Sequence, residues 1–228
     1  MTNLADGFLR FKKEVFPAKR QLYRELASGQ KPHSLFITCA DSRVVPNLIM
    51  QSEPGDLFLC RTVGNLVPPY GSPSEGGVAS SIEYAVQALA VEHVVICGHS
   101  DCGAMKAVLH PERLTSLPAT ASWLRHASAA RAVVFDTYQD LSEDILLHLL
   151  TEENIVAQLE HLKTHPAVAS RLARGELQLH GWLYHIHSGE ISAYNRHTGA
   201  FTPLGKDAGN ATPAARLHQD PSVIKGAA

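Results

Sequence analysis

Two short apolar runs, Ser34–Thr38 and His93–Ile96, each lead into a cluster of reactive side chains. The first is followed by Cys39-Ala40-Asp41-Ser42-Arg43, the second by Gly98-His99-Ser100-Asp101-Cys102-Gly103. Apolar runs this short read as buried strands. Open α/β sheets bind ligands at the carboxyl ends of their strands. Two clusters 60 positions apart can therefore meet at one sheet edge.

The rest of the chain supplies the alternation such a sheet needs. Leu57–Arg61 reads as a further strand, preceded by a Pro54-Gly55 turn and a short helix, Asn47–Gln51, started by Pro46. Residues 64–77 are rich in Pro, Gly and Ser and read as loop. They lead into a helix, Val78–Leu89, and a helix opening near Cys102 runs to Leu109. Thr120–Ala132 and Glu143–Lys163 read as helices, and Pro166 starts another that ends at Gly175. Leu177–Ile186 and Glu190–Tyr194 flank Ser188-Gly189, a two-residue hairpin signal. The expected class is α/β: a mostly parallel central sheet flanked by helices, with right-handed crossovers and an antiparallel edge hairpin.

At the start of the chain, Leu4, Phe8, Phe11 and Val15 form a helical stripe that Pro17 ends, and a second helix, Ala18–Ser28, closes on Gly29. This helical arm, residues 4–28, carries apolar faces that need a body to cover them, its own or a partner's. Residues 1–204 read as one domain including the arm, and 205–228 as an irregular tail.

Composition narrows the partners. Hydrophobic residues make up 45% and charged residues 18%, a globular balance. The net charge is −2 and the Lys and Arg residues are scattered, which argues against nucleic acid and membrane surfaces. No apolar run approaches the roughly 20 residues of a membrane span. The first ten residues lack a signal-peptide core. Four cysteines in this setting suit a reducing compartment, so the expected location is the cytoplasm.

Cys39, His99 and Cys102 offer two thiols and an imidazole, a donor set zinc prefers, and three ligands leave a tetrahedral ion one open position. Open positions distinguish catalytic from structural zinc. Cys39 has no close Cys or His neighbour, so a zinc finger fits poorly. Cys60 and Cys97 read as small buried hydrophobes. Asp41 and Arg43, beside the first ligand, form an acid–base and orienting pair rather than an ordinary surface ion pair. His161 and His165 are spaced four apart with no third ligand, which favours a solvated helix face. His185 and His187 read as surface residues on a strand.

The two clusters resemble the paired signatures of the β-class carbonic anhydrases, in the form found in members with a plant-like active site. Glu53-Pro-Gly-Asp-Leu-Phe, Gly64-Asn-Leu-Val-Pro-Pro, Gly76-Gly77, Ile82-Glu-Tyr84 and His180-Gly-Trp-Leu-Tyr184 are similar to that family as well. The resemblance implies reversible hydration of CO2 to bicarbonate and a proton, with one Zn2+ per chain held by Cys39, His99 and Cys102. It implies an Asp41–Arg43 dyad, and in some members the aspartate itself, here Asp41, takes the fourth zinc position in a resting form. Gln30 falls at the family's carboxamide donor position; Phe58, Val63 and Tyr84 fall at its apolar substrate pocket. Tyr84 would come from a neighbouring subunit, so the chain is expected to self-associate as a dimer or higher, up to an octamer. Members with a regulatory bicarbonate site use Trp, Arg and Tyr; here the positions hold Phe36, Arg61 and Tyr184. Thr62 stands where the family usually has Asn. Two other readings of the residues remain: a Cys2His zinc hydrolase acting on a small CO2-like molecule, and a non-catalytic zinc protein that binds bicarbonate.

Overall fold

The computed structural model describes residues 2–73 and 76–205; the expected irregular tail lies, from residue 206 onward, outside the described residues. The arm is α1 (Thr2–Arg10), prolonged by a π-helical turn through Val15, and α2 (Arg20–Leu26). Then come β1 (Ser34–Cys39), α3 (Pro46–Met50), β2 (Leu57–Thr62), α4 (Gly76–Glu83) with a π-helical continuation Tyr84–Ala88, β3 (His93–His99) and α5 (Gly103–Leu109). Two helices, α6 (Pro118–Leu124) and α7 (Ser128–Thr137), precede the long α8 (Glu143–Lys163) and the short α9 (Pro166–Ala173). The chain ends in β4 (Gln178–Tyr184), β5 (Ile191–Asn195) and β6 (Ala200–Pro203).

The six strands form one sheet in the order β2-β1-β3-β4-β5-β6. The first four run parallel, and β5 and β6 are antiparallel to their neighbours. β1 is central and buried at every position, so Cys39 ends a strand flanked on both sides. Its Leu35 and Ile37 face a core that includes Val94, Ile96, Leu183, Ile82 of α4 and Ile155, Leu159 and Leu162 of α8. Phe36 faces the other way and packs with Val95, Cys97 and the Trp182 ring. Gly98 and Gly181 let α8 lie close on the sheet: a Cβ on either would come within 2.9 Å of an Ile155 side-chain carbon.

Three details depart from the sequence reading. The hairpin expected at Ser188-Gly189 is wider: His185 N donates to Glu190 O, and Gly189 N donates back to His185 O. A sixth strand, β6, follows; it is four residues long and ends in Pro203, whose missing N–H is tolerated at a sheet edge. The helix expected over Thr120–Ala132 breaks into α6 and α7 around a tight turn, Arg125–Ala127. Ahead of that break the Trp123 indole N–H donates to Val63 O at 2.8 Å, docking α6 against the end of β2.

Candidate metal centre

Cys39 ends β1, His99 ends β3, and Cys102 precedes α5. Because β1 and β3 are adjacent and parallel, the three side chains converge. The sulfurs of Cys39 and Cys102 lie 4.0 Å apart, and the two sulfurs and a His99 ring nitrogen all fall within 4.8 Å of one another. Two sulfurs on a tetrahedral zinc stand about 3.8 Å apart, given Zn–S bonds near 2.3 Å. His99 Nδ1 lies 2.9 Å from Ser100 O, a carbonyl that only accepts, so Nδ1 carries the proton. Nε2 is then a lone pair, fully buried and without a hydrogen-bond partner. A buried nitrogen left unpaired beside two sulfurs fits a soft tetrahedral cation.

The two thiols are electrostatically unequal. Cys39 is held well below the usual thiol range, chiefly by its hydrogen bond with Cys102, with burial opposing and further help from the Asp41 and Gly64 backbones. Cys102, the donor, is pushed up by that same bond and by burial. A divalent metal takes cysteine as thiolate. The Gly64 amide points at Cys39 Sγ at 3.4 Å, tying the loop after β2 to the first ligand.

Asp41 and Arg43 pair as a fork. Arg43 Nε donates to Asp41 Oδ1 at 3.0 Å and Nη2 to Oδ2 at 2.8 Å, while the Arg43 amide also donates to Oδ1 at 2.9 Å. These bonds keep the Asp41 carboxyl far below the ordinary carboxylate range. Asp41 Oδ2 stands 3.7 Å from His99 Nε2, beside the point on which the three donors converge. With both its oxygens engaged by Arg43, Asp41 is in its arginine-held arrangement.

The remaining expected site residues divide. Val63 follows β2 directly, at the same end as Cys39. Phe58 sits at the other end of β2, roughly 13 Å from Thr62 at the usual rise of a strand. Phe58 and Tyr84 stack at 5.9 Å beside a cavity of about 540 Å3, and Gln30 is exposed four residues before β1. One chain therefore does not bring Gln30, Phe58 and Tyr84 to the metal donors.

Two groups of residues hold roles the sequence reading did not give them; Arg61 was read only as a match to the regulatory bicarbonate site. Arg61 donates to Cys39 O at 3.1 and 3.0 Å and to Asp41 O at 2.6 Å, holding the backbone of the first cluster. The other group is a polar stripe along α8 that continues to His165 at the cap of α9. Asn154 donates to Gly64 O, Gln158 accepts from Val67 N, and His161 and His165 lie 2.8 and 3.0 Å from the carbonyls of Val67 and Pro68. His161 and His165 are thus clamps on a loop, not a solvated face; His165 is only 3% exposed. His185 is half-buried, bonded to Ser192 and stacked on His148, so it too is no plain surface residue.

A family profile described as "Carbonic anhydrase" matches residues 34–191. A carbonic anhydrase of Pseudomonas aeruginosa is 50% identical over 206 residues, spanning 90% of this chain and 93% of its own length. One from Synechococcus elongatus is 48% identical over 197 residues, with 86% and 72% covered. The solved β-carbonic anhydrase CcaA superposes with a TM-score of 0.87 at 45% identity, covering 90% of this chain and 99% of that one. One of two tetrameric β-carbonic anhydrases from Sordaria macrospora gives 0.69 at 29% identity, with 88% and 95% covered. With its paired Cys and His clusters at the ends of adjacent parallel strands, the chain belongs to the β-class carbonic anhydrase family.

Proposed function

We propose that this chain catalyses the reversible hydration of carbon dioxide, with one Zn2+ held by Cys39, His99 and Cys102. The observation that carries this reading is the buried, unpaired Nε2 of His99 facing two sulfurs, with an ionised carboxylate 3.7 Å away. Bound zinc supplies a nucleophile at neutral pH by acidifying a water molecule. Ser100 O fixes the tautomer of His99, leaving the lone pair on Nε2, where it would hold the ion. Asp41, kept ionised by Arg43, accepts a hydrogen bond from the attacking oxygen and turns its lone pair toward carbon. Arg43, through its bidentate grip, holds Asp41 off the metal and in that orientation.

CO2 is apolar, so it needs a dry wall beside the nucleophile. Val63 offers part of that wall from within the chain. Phe58 and Tyr84, with Gln30 as a donor to the developing charge, complete it from a second copy. Support for such a copy comes from α1, where Leu4 and Phe8 are 81% and 61% exposed, and from Tyr84, itself half exposed. The Sordaria relatives are tetrameric; for this chain at least a dimer is the working assembly. Among the described residues no helix is long and apolar enough to cross a membrane. All four cysteines are unpaired, which supports a reducing compartment, the cytoplasm.

Stopped-flow CO2 hydration on the zinc-loaded protein tests the assignment. Asp41→Asn keeps its zinc and loses turnover by about a hundredfold, the usual scale for a positioned acid–base group. Wild-type turnover in that variant would remove Asp41 from the mechanism.

A further inference from the structure

Asp41 and Arg43 lie on one turn after β1, and every bond between them is local to that turn. Local bonds orient the carboxylate within its own loop. They do not set its position against His99, which ends β3, and Cys102, in the loop that follows. A side-chain tie from the first turn to that loop bears directly on the 3.7 Å approach of Asp41 to His99 Nε2.

We propose that Asp101, backed by Lys106, is a positioning residue that ties Arg43, and through it Asp41, to the loop that joins His99 to Cys102. Arg43 Nη1 donates to Asp101 Oδ2 at 2.9 Å, and Nη2 donates to Asp101 O at 3.1 Å. The guanidinium is therefore gripped from both sides, by Asp41 on one loop and Asp101 on the other. A planar fork transmits that constraint, since fixing one edge fixes the opposite edge. The free oxygen of Asp101, Oδ1, pairs with Lys106 on α5, which keeps the carboxylate facing Arg43. Asp101 takes a left-handed backbone conformation, φ +58°, which Asp and Asn accept more readily than other side chains. That turn presents both its carbonyl and its carboxylate to Arg43. Two carboxylates and two cations also leave the quartet neutral, so the tie adds no net charge beside the metal donors.

The side chains of Asp101 and Arg43 are 54% and 43% exposed. Exposed pairs of this kind contribute at most about 1 kcal/mol to stability. The effect should therefore lie in placement, not in folding. This inference rests on the roles given above to Asp41 and Arg43.

The test uses zinc-loaded Asp101→Gly, which keeps the left-handed backbone and loses the carboxylate. It also uses Asp101→Asn, which keeps both the backbone preference and an acceptor, and Lys106→Met. Asp101→Gly is expected to retain full zinc and an unchanged melting temperature. Its kcat falls about tenfold with KM within about twofold, the scale of a misplaced catalytic group. Asp101→Asn recovers most of that loss, and Lys106→Met loses about threefold, as expected for support one residue removed. In a crystal of Asp101→Gly, Arg43 leaves its two-bond grip on Asp41. In an Arg43→Ala background Asp101→Gly has no further effect, since both changes act through one residue. Wild-type kcat in Asp101→Gly, loss of its zinc, or an undiminished tenfold loss on top of Arg43→Ala would each overturn the proposal. If Arg43→Ala alone turns over at the wild-type rate, the Asp41–Arg43 reading itself fails, and the two failures are thereby told apart.

Discussion

The two ends of the parallel strands are built on different plans. At the carboxyl end, one chain brings together three candidate metal donors, the Asp41–Arg43 fork and the guanidinium of Arg61, which bonds the Cys39 and Asp41 carbonyls. At the amino end, Gln30, Phe58 and Tyr84 lie apart from those donors, with Tyr84 half exposed. The difference separates two properties that a single assay would merge. Holding a metal belongs to one chain; enclosing CO2, on our reading, belongs to the assembly.

The largest effect attacks the self-sufficient end. Cys102→Ala removes one of three donors, and elemental analysis should find nearly metal-free protein with turnover down by at least about a thousandfold. Full zinc occupancy in that variant would break the comparison outright. Next comes the end that needs a partner. Leu4→Glu combined with Phe8→Glu places charges on the exposed face of α1. Sedimentation should then show monomer that retains zinc but turns over about a hundredfold slower, because the wall is missing. A fully active monomer would show that one chain encloses its substrate unaided.

A third experiment concerns the clamp behind the donors. Gln158 is fully buried; it accepts from Val67 N and donates to His126 O and Asn154 Oδ1. Gln158→Leu strands those groups at a cost of about 2 kcal/mol, visible in chemical unfolding. Unchanged stability would mean that the loop after β2 holds its place without α8. The smallest effect is pH-dependent. A hydrogen bond from His148 to Glu152 raises the His148 pKa above 6.5, against burial. A raised folded value stabilises fully below the unfolded value and fades as pH climbs through the folded one. Glu152→Gln should therefore lower the melting point at pH 5.5 and leave it unchanged at pH 8.5, by less than about 1 kcal/mol. A loss of equal size at both pH values would assign Glu152 a purely steric role.

Legibility in the sequence follows the same divide. Thiols and an imidazole placed directly after apolar runs are rare and chemically distinctive, so the candidate donors and the mostly parallel sheet that carries them could be read in advance. α8 was read with its full extent, Glu143–Lys163, because caps and apolar spacing agree over 21 residues. Its function as a clamp was not read, since Asn, Gln and His on a helix ordinarily signal solvent. The available signal was register: Asn154, Gln158 and His161 advance in step with Ile155, Leu159 and Leu162, along the buried stripe, and His165 follows just past the helix end. Neither Asp101 nor Arg61 announces its partners, because their bonds span 58 and 22 positions and depend on strand order. β6 escaped for want of length, four residues ending in a proline.

The polar stripe on α8 has one more consequence, in the time domain. Residues 66–70 have no regular secondary structure, and such segments normally open freely to solvent. Here the Val67 amide is donated to a fully buried side chain of the longest helix, and Leu66 and Val67 are themselves inaccessible. That amide cannot meet solvent deuterium unless α8 lifts from the sheet. In hydrogen-exchange terms the Val67 amide should open with α8 and not as part of a free loop, and Gly64, whose amide touches the first sulfur, is anchored to the same helix by Asn154.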